Sequence, residues 1–286
     1  FLKNADFINT LRLRASLGTT GNDQIGNFDA LSLYVSGAQY NGSAGINYGG
    51  LGNNNLSWES NQTLNLGLDF GFFKNRISGS VEVFERLTKN ALLSQPVSWV
   101  TGTGSFQQNI GEVSIKGVEV SLNADIIKSA RHDGLSWSAN FTFAFMYNNI
   151  NRLYGGFEVL PSDPGVKVGR SLGSIFTQVY EGVNASTGRP VFLDTFNNLT
   201  YLPQARDRRY IGDTEPDYYG GLTNTIRFKN FELSALLVYE YGRLASDGQV
   251  NFMLENGNRT FNTLRFAYEN RWRQPGDITA YPRIFD

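Results

Sequence analysis

Four acidic residues crowd one stretch of the chain: Asp207, Asp213, Glu215 and Asp217. Carboxylate oxygens suit a hard cation, so this group is a candidate calcium site. The spacing is not that of an EF-hand loop, and a solvated external loop accounts for the same residues. Glu82 and Glu85 invite a reading as paired carboxylates for acid/base work. In a strand, however, residues three apart face opposite sides. Ser94, Ser98 and Ser105 have no histidine near them, and the single histidine, His132, falls in an expected short turn. A serine triad is therefore not expected. Cysteine is absent, which removes thiol nucleophiles, thiolate metal sites and a disulfide frame. Asn61, Asn140 and Asn184 begin matches to the glycosylation sequon, and chance explains them, since Asn140 falls on the polar face of a strand. The aromatics have more to offer. Trp99, Tyr154, Tyr180, Tyr201, Tyr218 and Tyr219 lie in stretches read as loops. There they would stack against sugars or peptides, or pack against other loops or a partner. The chemistry expected is binding without a cofactor, and no residue set for bond making or breaking emerges.

The elements that must hold these loops are long alternating strands. Leu64, Leu66, Leu68, Phe70 and Phe72 alternate with Thr63, Asn65, Gly67, Asp69 and Gly71. A tight turn at Lys74-Asn75 joins them to Ile77, Gly79, Val81 and Val83, because Asn tolerates positive φ. The same period-2 pattern occurs at 9–18, at Val118, Val120 and Leu122 against Glu119, Asn123 and Asp125, and at Phe141, Phe143 and Phe145 against Asn140. A final hairpin is expected at 218–228 and 231–242, turning at Lys229-Asn230 and carrying Leu233 and Leu237 on one side. Several arms reach about ten residues, where soluble strands average about five or six. A membrane-crossing β-strand needs about 9–11 tilted residues. The apolar set would then meet lipid, and Asn65, Asp69, Glu119, Asn123, Asp125 and Asn140 would face the lumen.

The connections alternate in length. Short turns at 74–75, 128–134 and 229–230 alternate with long stretches at 19–57, 88–116 and 148–216, rich in Gly, Asn or Pro. Within the last, a local hairpin is expected near 175–182 and 190–195, and a short helix at 261–271 in the tail. One-sided loop length marks outer-membrane barrels, whose periplasmic turns are short and whose extracellular loops are long. If the strand ending at Tyr147 runs outward, the one starting at Tyr218 runs inward, so 148–216 holds an even number of crossings. The net charge of −1 argues against a nucleic-acid partner. No apolar run is long enough for a membrane helix, and the mean hydropathy of −0.30 is compatible with a barrel, which offers only alternate residues to lipid. The start at Phe1-Leu2-Lys3-Asn4 is neither a signal peptide nor an initiator, so a piece of something longer is expected. The fold expected is all-β, with about eight to ten strands of a large antiparallel transmembrane barrel.

Several blocks resemble the barrel of SusC/RagA-type TonB-dependent outer-membrane transporters of Bacteroidetes. They are Leu11-Arg12-Leu13-Arg14-Ala15-Ser16-Leu17-Gly18 with Thr20-Gly21-Asn22, then Leu56-Ser57-Trp58-Glu59 and Asn65-Leu66-Gly67-Leu68-Asp69-Phe70 with Asn75-Arg76. Further blocks are Asn109-Ile110-Gly111-Glu112-Val113 with Lys116-Gly117-Val118-Glu119, and Arg271-Trp272 with Gln274-Pro275-Gly276-Asp277 and Tyr281-Pro282-Arg283. The resemblance implies a barrel of about 22 strands filled by a plug. It also implies a SusD-like lipoprotein over the mouth, energy from TonB, and oligosaccharide or peptide cargo. The chain departs from this plan in showing neither plug nor TonB box. The whole of 1–286 would be the C-terminal portion of the barrel, with the other strands and the plug elsewhere, since an open sheet in lipid leaves backbone groups unpaired. Two other roles fit the same residues: a barrel serving as scaffold in a surface secretion or motility assembly, and a soluble carbohydrate-binding β-sandwich.

Overall fold

A computed structural model describes residues 6–23, 25–131, 133–161, 163–254 and 262–284. The chain opens with β1 (Ile8–Asn22), then β2 (Leu33–Tyr40) and β3 (Ser43–Gly50), which pair as a separate hairpin. Next come β4 (Glu59–Phe72), β5 (Ile77–Pro96), β6 (Ser105–Ile127) and β7 (Ser136–Arg152). Short strands follow: β8 (Val159–Leu160), β9 (Asp163–Lys167), β10 (Ser174–Thr177), β11 (Tyr180–Val183), β12 (Pro190–Leu193), β13 (Leu199–Thr200) and β14 (Arg209–Asp213). The long strands return as β15 (Tyr218–Phe228) and β16 (Phe231–Tyr241), and the tail holds α1 (Gly248–Met253) and α2 (Arg265–Asn270).

Two units emerge, residues 1–172 with 216–242, and residues 173–215 with 243–286. The first contains one seven-stranded antiparallel sheet in the order β1-β4-β5-β6-β7-β15-β16. Its register carries the alternation across every strand. Ala15, Leu66, Val83, Val118, Phe145, Tyr218 and Tyr241 stand in one row. Leu11, Phe70, Gly79, Leu122, Phe141, Leu222 and Leu237 stand in another. Because the side-chain period is 2, fixing register at one pair fixes the face of every other residue. All seven strands therefore share one apolar face.

Within the described residues of this unit that face lies open: Leu13 is 83% exposed, Leu66 53% and Leu233 67%. The small core of this unit lies elsewhere, where Ile150, Leu153 and Leu160 pack with Leu93, Val166 and Val168. A soluble sheet of this size would bury one face, since exposed apolar patches rarely exceed a few hundred Å².

Several sequence expectations change. Among the described residues the wall sheet holds seven strands, where about eight to ten are expected from the sequence. The stretch 88–116 is mostly strand: β5 and β6 run on to Pro96 and from Ser105 and close through a 3₁₀ turn at Trp99–Thr101. The breakers there are absorbed. Asn90 enters a β-bulge at φ 57°, Pro96 takes the last strand position, and Gly102 ends the turn at φ 84°. The stretch 19–57 likewise contains the end of β1 and the β2–β3 hairpin. The turn after β4 is wider than two residues, because Phe73, Lys74 and Asn75 are all left-handed, and the Arg76 N–H closes it onto the Phe73 carbonyl at 3.3 Å. Between β7 and β15 no strand joins the wall among the described residues, which satisfies the even count. Within that excursion β11 pairs with β12 as expected, but β10 pairs with β14. The helix expected at 261–271 is the shorter α2, with Arg265 and Glu269 bonded at 2.8 Å; Phe261 and His132 lie outside the described residues.

Candidate functional site: the two faces of the wall

The face opposite the leucines carries the polar residues. Asp69, Ser80, Ser121, Thr142 and Gly221 form one row, and Gly67, Glu82, Glu119, Ala144 and Tyr219 form the next. Arg14 reaches across from β1, donating to Asp69 at 3.0 Å and approaching Glu82 at 3.6 Å. Gly67 makes this possible: a Cβ there would stand 2.9 Å from the Arg14 guanidinium. Asn140 donates to Asn123 at 2.7 Å, and Asn65 to Ser16 at 3.4 Å. Asp125 accepts from Lys128 at 3.3 Å near one end. Asn65, Asp69, Glu119, Asn123, Asp125 and Asn140 thus share one side of the sheet, as the alternation requires. A shallow groove on this side is lined by Glu82, Glu119, Thr142, Tyr219, Leu236 and Val238.

The apolar face has marked ends. Toward the ends of β5 and β6 away from the Phe73–Arg76 turn, Glu85 and Lys116 stand opposite each other and pair at 3.0 Å, with Tyr147 next in the row. Trp58 lies over Gly21 beyond Leu64 and Leu17, where a Cβ on Gly21 would meet its ring at 2.8 Å. From Val118 to Ile126 the intervening β6 residues on this face are Val120, Leu122 and Ala124. At the other end Trp137 donates to Asn224 at 3.1 Å, which satisfies a lone amide on this face, and Phe228 pairs with Phe231. An apolar band about 9–11 residues deep with aromatics at both rims is the pattern of a membrane-crossing barrel wall.

The loop aromatics have mixed fates. Trp99 is 81% exposed at the tip of the β5–β6 hairpin. Tyr154 packs on Phe157 with ring centroids 6.3 Å apart. Tyr218 and Tyr219 are not loop residues; they begin β15 and so face opposite sides. Tyr218 stacks on Tyr241 at 5.0 Å and on Phe143 at 6.2 Å within the apolar face, which removes it from the loop set. Tyr219 looks onto the polar groove. In the second unit Tyr180 donates to the Ala280 carbonyl at 2.7 Å, and the Tyr201 hydroxyl accepts from Asn184 at 2.7 Å.

The four acidic residues proposed for calcium do not converge. Among the described residues no three carboxylate or histidine groups gather in a metal-binding arrangement. Asp207 is buried and already committed, accepting from the Gln204 N–H at 2.6 Å and from the Thr195 N–H and hydroxyl at 3.0 and 2.8 Å. The Gln204 amide first, then Thr195, hold its carboxyl below the usual range. Asp213 accepts from the Glu215 N–H at 2.9 Å as a local turn. The alternation had no means of finding these roles, because they are set by backbone turns.

The sequence pattern of the family described as "TonB dependent receptor-like, beta-barrel" matches residues 4–257. The chain belongs to this family. TonB-dependent receptors are transporters rather than enzymes, and they lie in the bacterial outer membrane. TonB-dependent receptor P39 of Formosa agariphila is 29% identical over 99% of this chain and 32% of its own length. TonB-dependent receptor SusC of Bacteroides thetaiotaomicron is 31% identical over 82% of this chain and 25% of its own. The solved structure of the RagAB peptide transporter superposes with a TM-score of 0.84 at 26% identity, over 99% of this chain and 32% of that one. The chain therefore spans about a third or less of the receptors it matches.

Proposed function

We propose that this chain forms part of the barrel wall of an outer-membrane importer energised through TonB. The single observation behind this reading is the uncovered apolar face, continuous over all seven strands and rimmed by Trp58, Tyr147, Trp137 and the Glu85–Lys116 pair. On this reading Leu64, Leu66, Leu68, Phe70, Val118, Val120, Leu122, Phe141, Phe143, Phe145, Leu233 and Leu237 meet lipid. Asn65, Asp69, Glu119, Asn123, Asp125 and Asn140 look into the lumen or onto a plug. The long β5–β6 end, with Trp99, points outside, and the Phe73–Arg76 turn points to the periplasm.

The remaining strands and the plug lie in the parts of the protein outside these 286 residues, as the one-third coverage of the matched receptors supports. A SusD-like lipoprotein covers the mouth, and the cargo is an oligosaccharide or a peptide. Of the similar proteins, RagAB is named a peptide transporter, which supports the peptide arm of this reading. Deleting the full-length gene and comparing growth on oligosaccharides and on peptides tests the reading. Loss on one class alone, with a single lipoprotein co-purifying, is the expected outcome. Unchanged growth on both, with a large multi-protein assembly co-purifying, would overturn import in favour of a scaffold.

A further inference from the structure

Three of the blocks singled out in the sequence, 20–22, 56–59 and 109–113, are far apart in the chain and meet at one place. They meet at a fault in the β5–β6 ladder. Lys89 pairs with Glu112, Ala91 with Gly111 and Leu92 with Asn109, so Asn90 and Ile110 are skipped. Asn90 sits there at φ 57°. Such a bulge breaks regular pairing and bends the strand. The peptide groups it frees are taken up by side chains. The Leu92 N–H donates to Glu59 Oε1 at 2.7 Å, and Asn109 Nδ2 donates to the Asn90 carbonyl at 2.9 Å.

Both side chains also tie the bulge to neighbouring elements. Asn109 Oδ1 accepts from the Ser57 N–H at 2.7 Å while its Nδ2 donates to the Ser57 carbonyl at 2.6 Å, so the amide pairs with Ser57 as a peptide group would. Asn22 Nδ2 donates to Glu59 Oε2 at 2.8 Å, which brings in the end of β1. Asn53 reaches the Gln107 carbonyl at 3.0 Å, and Trp58 lies over Gly21. Glu59 is half-buried, so its charge-assisted bonds are worth more than surface ones.

We propose that Glu59 and Asn109 are a hinge clasp. They fix the angle at which the outer part of the β5–β6 hairpin, residues 91–109 with Trp99 at its tip, leaves the wall. Without them the bulge leaves a donor and an acceptor unpaired, and the hairpin pivots there. That the tip stands at the transporter mouth rests on the import reading; the clasp itself does not, and its test uses no cargo.

The chain has no cysteine, so in this part of the full-length protein nitroxide labels can be placed at will. Labels at Val100→Cys and Val83→Cys, one on each side of the bulge, report the bend by pulsed electron–electron distance measurement. A narrow distribution is expected for the parent protein, and a broad one for Glu59→Ala and for Asn109→Ala. Glu59→Gln, which keeps an acceptor for the Leu92 N–H, stays narrow. Amide exchange in the Leu92 region speeds about tenfold or more in Glu59→Ala, the effect of losing one charge-assisted bond. Heat-dependent gel mobility, which reports the wall, stays unchanged in all three. Should Glu59→Ala fail to reach the membrane, Asn109→Asp keeps the acceptor for Ser57 and removes both donors, and a broad distribution is expected from it. Narrow distributions in the alanine variants, or equal broadening in Glu59→Gln, overturn the proposal. Failure of the growth test leaves these distances untouched, so the two readings fall separately.

Discussion

The seven-stranded wall and the unit formed by residues 173–215 and 243–286 solve the same backbone problem in opposite ways. In the wall, most N–H and C=O groups of the inner strands are met by a neighbouring strand through long registers interrupted at a few bulges, and most side chains are left free to serve whatever lies on either face. In the second unit the strands are two to five residues long, and polar side chains stand in for missing ladder partners. Asp194 accepts from the Phe196 and Asn198 amides, Asp207 from Gln204 and Thr195, and Asp277 from Arg273 and Gln274. Trp272 covers the left-handed Gly188 and donates to the Ala185 carbonyl at 2.8 Å, which pins the tail to the β11–β12 turn. Order in the wall rests on periodicity and paired registers; order in the second unit rests on individual hydrogen bonds.

The contrast can be broken most forcefully at mid-depth in the wall. Leu66→Arg should cost about 2–4 kcal/mol and abolish the heat-dependent gel shift of the membrane-extracted protein, whereas Asn65→Arg next to it should assemble. Equal behaviour of the two would remove the membrane reading of the apolar face.

The next effect belongs to the second unit. Asp207→Ala removes the acceptor for two backbone amides and one hydroxyl, so limited proteolysis between 195 and 207 should accelerate while the gel shift stays intact. A lost gel shift would show that the two units do not order independently.

Acidification should separate the regions more gently. The carboxyls of Asp194, Asp207 and Asp277 are held low chiefly by the backbone amides of Asn198, Gln204 and Arg273 respectively. A carboxylate with a depressed folded pKa adds stability that is fully present above its unfolded value, about 3.9. That stability drains away as pH falls through the lower folded value. Amide protection factors in 194–207 and 273–277, with the intrinsic pH dependence of exchange divided out, should therefore match between pH 7 and pH 5 and fall at lower pH, ahead of any change in β4–β7. Parallel loss in both regions would contradict the division of labour.

The smallest effect is expected at the rim. Glu85 and Lys116 are about half exposed, and Glu85→Gln should change wall stability by about 0–1 kcal/mol, read from the temperature of the gel-shift transition.

Much of the wall was legible in the sequence because a strand's side chains alternate strictly. Leu64, Leu66, Leu68 and Phe70 announce one face wherever the strand is placed, and every such face proved to be shared. The legible part stopped where local signals are ambiguous. Asn90, Pro96 and Gly102 read as loop because each disfavours a strand interior, yet a bulge, a strand end and a turn used all three. Tyr218 and Tyr219 read both as loop aromatics and as the start of the strand expected at 218–228; the strand reading holds, and its alternation turns them to opposite faces.

The sequence by itself determined the two-faced strands, the short turns near 74–75, 128–134 and 229–230, and the family-like blocks, since these depend on neighbours in the chain. Tertiary structure alone decided that Asn22, Glu59, Leu92 and Asn109 meet at one bulge and that Arg14 lies across Gly67 to reach Asp69. Those outcomes depend on register between strands dozens of residues apart. The pattern within one strand carries no record of which residue stands opposite it.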